Sequence, residues 1–153
     1  MSRFHTALVT RENLGSDAGT SLFVYNPRMH LSEKKGRVLI VEDEPLIGAA
    51  LEEFLVDQGY DVPRVIDSVE SVLPAVRDCR PDLILMDIKL RSFNDGIDAT
   101  HRLRLLSPIP VVFLTAYTDE ATRKRAEGIT NTVFLGKPLD ESRLAREIAR
   151  LLA

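Results

Sequence analysis

Short, unbroken apolar runs recur along most of this chain, at residues 38–41, 83–86, 111–114 and 133–135. These runs do not alternate apolar with polar residues, as a strand with one solvated face would. Continuous runs of this length are typical of strands that are buried on both faces, as in a parallel sheet. A weaker run at residues 61–65 predicts a further strand, which follows the first along the chain.

In the segments between the runs, apolar residues recur at intervals that are typical of helices. The first predicted helix begins after Pro45 and stops near Gly59. Its apolar face consists of Ile47, Ala50, Leu51, Phe54 and Leu55. A second helical stretch begins near Ser68 and contains Pro74. Because proline costs about 3 kcal/mol in a helix interior, we expect a kink or an early end there.

The last predicted helix has Asp140 as its N-cap and an apolar face of Leu144, Ile148, Leu151 and Leu152. The complete order is then β-α repeated five times. This alternation predicts an α/β fold, with a doubly wound five-stranded parallel sheet, helices on both faces and right-handed crossovers. Ligands in such folds bind at the carboxyl ends of the strands, near the switch in strand order.

Residues 1–36 differ in composition from the rest of the chain. They carry five Lys/Arg against three Asp/Glu, a net +2, whereas the other 117 residues hold 15 against 20, a net −5. Their apolar patches, at residues 8–9 and 22–25, are interrupted by glycine and proline. We expect residues 1–36 to be an N-terminal extension whose order the sequence leaves open, and residues 37–153 to be the folded domain.

Composition excludes several classes of protein. A net charge of −3 in 153 residues argues against a general nucleic-acid binder, which would carry a basic excess. The single cysteine, Cys79, cannot form an internal disulfide, which fits a reducing compartment. Apolar runs stay far below the roughly 20 residues of a membrane span. We therefore expect a cytoplasmic protein with no membrane segment.

Acidic residues stand at two predicted strand ends. Glu42, Asp43 and Glu44 directly follow the first run, and Asp87 follows the third. Carboxylates that meet at one sheet edge repel one another unless a cation or a proton intervenes, and Mg²⁺ prefers oxygen ligands of this kind. Taken singly, acids after a strand are more often N-caps or solvated loop residues. The residues alone leave both interpretations open.

The other strand ends carry Thr115 and Lys137. Thr115 can cap a helix, and Lys137 can be a surface charge that precedes a helix starting at Pro138. Together with the carboxylates, however, a hydroxyl donor and an ammonium group suit a site that holds a phosphoryl group. A cation and the lysine would neutralise its oxygens, and a carboxylate can be the nucleophile.

Five segments in order, at residues 38–45, 81–87, 95–96, 110–116 and 134–138, resemble the response-regulator receiver domain of two-component signalling. The resemblance extends over about residues 36–153. It implies a flavodoxin-like (βα)5 fold and a phosphoacceptor, Asp87, that takes a phosphoryl group from a histidine kinase or a small donor. It also implies that Mg²⁺ is held by Glu42, Asp43, Asp87 and the backbone carbonyl of Lys89.

The resemblance assigns further roles around the phosphoacceptor. Thr115 would hydrogen-bond the new phosphoryl oxygen, and Lys137 would pair with it. Thr115 and Phe134 would form the switch, since Phe134 matches an aromatic residue whose rotamer follows phosphorylation. Lys89 and Tyr117 match positions that tune the dephosphorylation rate.

Two departures from the family pattern concern the loops and the fourth helix. The stretch from Asp87 to Thr115 is about two residues shorter than is usual in the family, so we expect the loop at residues 91–94 and the third helix to differ from the family pattern. The fourth helix stops early, at Gly128. The basic run at residues 123–125 either binds an acidic partner or forms a solvated helix face, the commoner case. His101 is expected to be a surface residue rather than a ligand.

These features predict a stand-alone phosphorylation switch that signals through protein–protein interaction and is not itself an enzyme. We expect a histidine kinase as donor, a downstream protein partner, no DNA-binding domain, and a monomer or phosphorylation-dependent dimer. One alternative is a phosphorelay intermediate that passes its phosphoryl group to a histidine phosphotransfer protein. Another is a Mg²⁺-dependent aspartyl phosphatase, against which stands Lys89, where such enzymes place a second acid.

Overall fold

A computed structural model describes residues 34–91, 95–116 and 120–153 of the chain. Strands and helices alternate along it in the order β1 (Val38–Val41), α1 (Pro45–Asp57), β2 (Val65–Ile66), α2 (Val72–Cys79), β3 (Leu83–Asp87), α3 (Gly96–Arg104), β4 (Val111–Thr115), α4 (Glu120–Ala126), β5 (Thr132–Gly136) and α5 (Glu141–Leu151). A short 3-10 turn, Val69–Ser71, precedes α2. Among these residues, none of the helices has the length and apolar character needed to cross a bilayer.

The strands form one parallel sheet in the order β2-β1-β3-β4-β5. From β1 the chain moves to one side to form β2 and then returns to the other side to form β3. The strand order therefore switches between β1 and β3, and in such sheets ligands bind at the carboxyl ends of the strands beside the switch. The predicted doubly wound five-stranded sheet is confirmed, and the positions of β1, β3, β4 and β5 agree with the apolar runs to within one residue at each end.

Two apolar layers enclose the sheet. Along β1, Leu39 and Val41 face one layer, and Val38 and Ile40 face the other. The first layer is completed by α2, α3 and α4, and the second by α1 and α5, where Leu144 and Ile148 are buried as predicted. Both faces of the sheet are thus covered, which explains why its strands read as continuous apolar runs.

The predicted strand at residues 61–65 is wrong in position. The paired segment is only Val65–Ile66, and Asp61 takes part in an isolated bridge to Arg37. The N–H of Val38 donates to the Asp61 carbonyl, and the N–H of Ile40 donates to the Arg64 carbonyl. Two residues of β1 thus span three residues of the partner segment. One residue therefore bulges out of the ladder, and Pro63, which has no N–H to donate, lies in the bulge.

The expected early end of the helix at Pro74 is also wrong, since α2 continues to Cys79. Because the 3-10 turn ends at Ser71, α2 begins at Val72 and Pro74 is its third residue. An N–H at that position would have no partner within the helix, so proline is tolerated there. In α1, a smaller correction is that Ala50 is exposed and Gly48 is buried in its place on the inner face.

The ends of α4 and α5 follow the sequence signals. The α4 helix ends at Ala126, two residues before Gly128, whose φ of +85° ends the helix in a left-handed conformation. Asp140 caps α5 by accepting a hydrogen bond from the Arg143 N–H. Both predictions are confirmed.

Candidate functional site

Three carboxylates converge where β1 and β3 end. Val41 pairs with Met86 in the sheet, so the next residues, Glu42 and Asp87, emerge side by side. The Glu42 side chain has no exposed surface and Asp87 is buried. One carboxylate oxygen from each of Glu42, Asp43 and Asp87 lies within 4.8 Å of the other two. Like charges at this separation repel strongly unless a cation lies among them.

Lys137 supplies part of the compensating charge. Its Nζ lies 2.8 Å from Asp87 Oδ2 and 3.2 Å from Glu42 Oε2. The lysine follows β5 directly, and its own N–H donates to the Thr115 carbonyl at 2.7 Å. This bond continues the pairing of β4 with β5 past the end of the strand. The sheet itself therefore aims the lysine at the carboxylates.

Burial and the neighbouring charges shift the pKa values of Glu42 and Lys137. The pKa of Glu42 is raised because burial disfavours its charged form and Asp87 adds a like charge, which together exceed the stabilising bond from the Glu44 N–H and the attraction of Lys137. Burial alone would lower the pKa of Lys137, but its bonds and attraction to Asp87 and Glu42 prevail and raise it. The ammonium therefore stays charged at neutral pH.

Backbone donors orient each of the three carboxylates. The N–H of Lys89 donates to Asp87 Oδ1 at 3.0 Å, and the N–H of Glu44 donates to Glu42 Oε1 at 3.1 Å. The N–H of Arg91 donates to Asp43 Oδ2 at 3.0 Å, and Arg91 Nε lies 3.3 Å from the same oxygen. Sequence reasoning missed Arg91, because no local pattern connects it to a carboxylate 48 residues earlier.

The donor set fits a hard divalent cation. Glu42, Asp43 and Asp87 offer only oxygen atoms, and three negative charges in so small a volume favour a cation that binds oxygen. These three side chains would hold Mg²⁺. The Lys89 carbonyl stays a prediction as a further ligand.

Thr115 and Phe134 lie on the neighbouring strands. Thr115 is buried at the end of β4 and pairs with Gly136, while Phe113 pairs with Phe134. Residues two apart on a strand share a face, so Thr115 and both phenylalanines point toward the layer that contains α4. The two rings stack with centroids 4.9 Å apart at an angle of 31°, and Phe134 is half-buried. Tyr117 and residues 92–94 lie outside the described residues.

The start of α3 packs directly against the phosphoacceptor candidate. A Cβ on Gly96 would lie 2.4 Å from the backbone oxygen of Asp87. The Gly96 N–H donates to the Ile88 carbonyl at 3.0 Å, and Asp95 forms a capping box with Asp98. The Asp95-Gly96 pair thus allows α3 to begin in close contact with the end of β3.

An ion-pair cluster links α3 to α4. Arg125 donates to both carboxylate oxygens of Asp95, at 2.6 and 3.0 Å, and to Asp98 at 3.3 Å. His101 is exposed, as expected, and its Nε2 lies 3.1 Å from the Arg125 carbonyl. One residue of the basic run is therefore engaged within the domain, whereas Arg123 and Lys124 are exposed.

Comparison with known families identifies this arrangement. The family model of the response regulator receiver domain matches residues 38–149 of the sequence. The chain belongs to the response-regulator receiver domain family. This receiver domain is thus a regulatory signalling domain of two-component systems.

Several full-length regulators are similar to this receiver domain. The transcriptional regulatory protein BaeR of Escherichia coli is 34% identical over 122 residues, which is 80% of this chain and 50% of BaeR. The transcriptional regulatory protein PdtaR of Mycobacterium tuberculosis is 34% identical over 108 residues, 71% of this chain and 52% of PdtaR. The chain therefore spans about half the length of these relatives.

Solved structures of receiver domains are also similar. The signal receiver domain of a modulated diguanylate cyclase from Desulfovibrio desulfuricans has a TM-score of 0.71 at 36% identity, covering 76% of this chain and 93% of that one. The receiver domain of PhyR from Erythrobacter litoralis has a TM-score of 0.66 at 33% identity, covering 76% and 89%.

Proposed function

We propose that this receiver domain is a phosphorylation-dependent switch whose phosphoacceptor is Asp87. The observation that carries the proposal is the position of the Asp87 carboxylate, which is buried at the end of β3, 2.8 Å from the Lys137 ammonium and within 4.8 Å of two more carboxylates. A carboxylate oriented in this way, beside a fixed positive charge, suits nucleophilic attack on a phosphoryl group.

The phosphotransfer itself uses few groups. A carboxylate oxygen of Asp87 forms a bond to phosphorus while the bond from phosphorus to the donor's leaving atom breaks, which produces an acyl phosphate and releases the donor. Glu42, Asp43 and Asp87, with the Lys89 carbonyl as a further ligand, would hold Mg²⁺, which would supply positive charge to neutralise the phosphoryl oxygens. Lys137 pairs with one of these oxygens, and the backbone N–H of Lys89 keeps the carboxylate oriented.

We propose that Thr115 and Phe134 carry the switch. In this proposal the Thr115 hydroxyl donates to a phosphoryl oxygen, and Phe134 changes its packing against Phe113 when Thr115 moves. The support is that all three side chains face the α4 layer from adjacent strands. Coupling of this kind is typically worth about 1–3 kcal/mol, and it acts by shifting a population between two packings.

The donor and the output follow from the same proposal. We propose a histidine kinase as the donor and a protein partner as the output, with residues 37–153 as the receiver domain and residues 1–36 as an extension. Relay to a histidine phosphotransfer protein is the alternative output.

Intact-mass measurement tests the phosphoacceptor. After incubation with acetyl phosphate and Mg²⁺, the wild-type chain should gain the mass of one phosphoryl group, and Asp87→Asn should gain none. Thr115→Ala should still gain it, but should lose most of the amide chemical-shift changes that beryllofluoride, a phosphoryl mimic, causes around Phe134. Equal uptake by Asp87→Asn would contradict the assignment.

A further inference from the structure

Arg91 lies at the rim of the carboxylate site, and no role for it follows from the sequence. Its backbone N–H and its guanidinium Nε both approach Asp43 Oδ2, at 3.0 and 3.3 Å. The Arg91 side chain is 80% exposed, whereas that of Asp43 is only 9% exposed. The contact thus joins a nearly buried carboxylate to a cation whose side chain is mostly in solvent.

Lys137 and Arg91 pair with different carboxylates of the site. Lys137 forms ion pairs with Glu42 and Asp87, and Arg91 forms one with Asp43. Asp43 would also be a ligand of a divalent cation, so a cation that binds there competes with the Arg91 guanidinium. An ion pair whose arginine is exposed contributes little to stability, so exchanging it costs little.

We propose that Arg91 is an exchangeable counter-ion of Asp43 that turns to the phosphodonor once Mg²⁺ is bound. In the metal-free protein the guanidinium neutralises Asp43. With a divalent cation on the carboxylates, the attraction between Asp43 and Arg91 weakens, and the guanidinium then binds the phosphoryl oxygens of an anionic donor. This step rests on the proposed function.

The chemistry of the two partners supports this exchange. A guanidinium has a planar set of N–H donors that matches carboxylate and phosphate oxygens equally well. The backbone N–H of Arg91 holds Asp43 independently of the side chain, so the carboxylate stays oriented when the guanidinium leaves. Arg91 is therefore a residue that favours anionic donors, at some cost to resting Mg²⁺ affinity.

The first test is a Mg²⁺ titration without any phosphodonor, by calorimetry or NMR. Arg91→Gln removes the competing cation, so its Kd for Mg²⁺ should be about 2- to 5-fold lower than that of the wild type. Arg91→Lys should stay near the wild type. Arg102→Gln, an exposed α3 position, lowers the net charge equally and should leave the Kd unchanged. The difference should shrink at high salt.

The second test is the initial rate of phosphorylation at saturating Mg²⁺. The KM for acetyl phosphate should rise about 2- to 5-fold in Arg91→Gln and recover only in part in Arg91→Lys, which restores the charge but not the planar set of donors. A variant that only loosened the loop would weaken Mg²⁺ and donor binding together, whereas this proposal requires opposite shifts.

An unchanged or raised Kd for Mg²⁺ in Arg91→Gln overturns the counter-ion role, and an unchanged KM overturns the donor role. If the wild-type chain takes up no phosphate, the proposed function and the donor role both fail. The Mg²⁺ titration still decides the counter-ion role in that case, so the two failures are distinguishable.

Discussion

Gly96→Ala should disrupt the packing of α3 against the strand end that carries Asp87. The added Cβ would lie 2.4 Å from the Asp87 carbonyl oxygen and 2.7 Å from Met86 Cγ. Ordinary contacts begin near 3.4 Å, so one of the two elements must move by about 1 Å. The Asp87 oxygen belongs to the backbone of a central strand, which cannot yield as a flexible side chain would. A movement of α3 also strains the hydrogen bond from the Gly96 N–H to the Ile88 carbonyl, now 3.0 Å long.

The cost can be worked out from these two effects. Overpacking a tight site costs about 1–3 kcal/mol, and the lost hydrogen bond costs about 1 kcal/mol. Alanine regains at most about 1 kcal/mol over glycine in a helix, so the net loss in the free energy of unfolding is about 1–3 kcal/mol. For a domain of roughly 120 residues, the unfolding entropy of about 2.1 cal/mol/K per residue converts this loss to a Tm decrease of about 4–12 °C.

Thermal unfolding followed by circular dichroism measures the decrease, and Gly136→Ala is the matched control. A Cβ at Gly136 meets nothing within 4 Å, so this variant should change stability by less than about 0.5 kcal/mol. Gly96→Ala should also be phosphorylated more slowly, because the strand end that carries Asp87 is displaced. A Tm of Gly96→Ala equal to that of Gly136→Ala would refute the close-packing argument.

Three further predictions concern charged groups. Asp43→Ala should abolish phosphate uptake and leave the Tm equal or higher, because it removes one of three mutually repelling carboxylates; normal uptake would exclude Asp43 as a ligand. Arg125→Gln should lower the free energy of unfolding by about 1 kcal/mol. A double-mutant cycle with Asp95→Asn, which keeps an N-cap, should give a coupling energy of about 0.5–1 kcal/mol. Zero coupling would mean that the pair does not form in solution. The pKa of Asp61 lies below its ordinary value of 3.8 because Lys34 hydrogen-bonds its charged form. The stabilisation that this bond gives to the folded state is complete above pH 3.8 and is lost as the pH falls through the lower pKa of Asp61 in the folded state. The Tm difference between the wild type and Asp61→Asn should accordingly vanish in acid, and a constant difference from pH 7 to pH 2 would contradict it.

Local sequence signals predicted most of the fold. The strands of the sheet interior are continuous apolar runs because both faces are covered, and this burial can be read from the sequence. The same signals failed at β2, where a bulge that contains Pro63 shortens the paired segment, and at Pro74, where α2 begins only after a preceding 3-10 turn. Both errors concern how an element begins or pairs, which neighbouring segments determine.

The residues of the candidate site likewise divide into those that local sequence signals predict and those whose contacts depend on distant segments. Each of Glu42, Asp43, Asp87, Thr115 and Lys137 was predictable, because each follows or ends an apolar run and parallel strands bring their carboxyl ends to one edge. Lys137, however, lies 95 residues from Glu42 and 50 from Asp87, and its contacts follow from the register of β4 with β5. The role of Gly96 follows from the packing of α3 on β3.

The sequence by itself thus determined which strand-end residues reach the carboxyl edge of the sheet, because burial and β-α alternation recur regularly along the chain. Only the tertiary structure decided which of them touch. Arg91 meets Asp43 across 48 residues, and Arg125 meets Asp95 across 30. Such contacts depend on strand register and helix packing between distant segments, and no local period in the sequence encodes either.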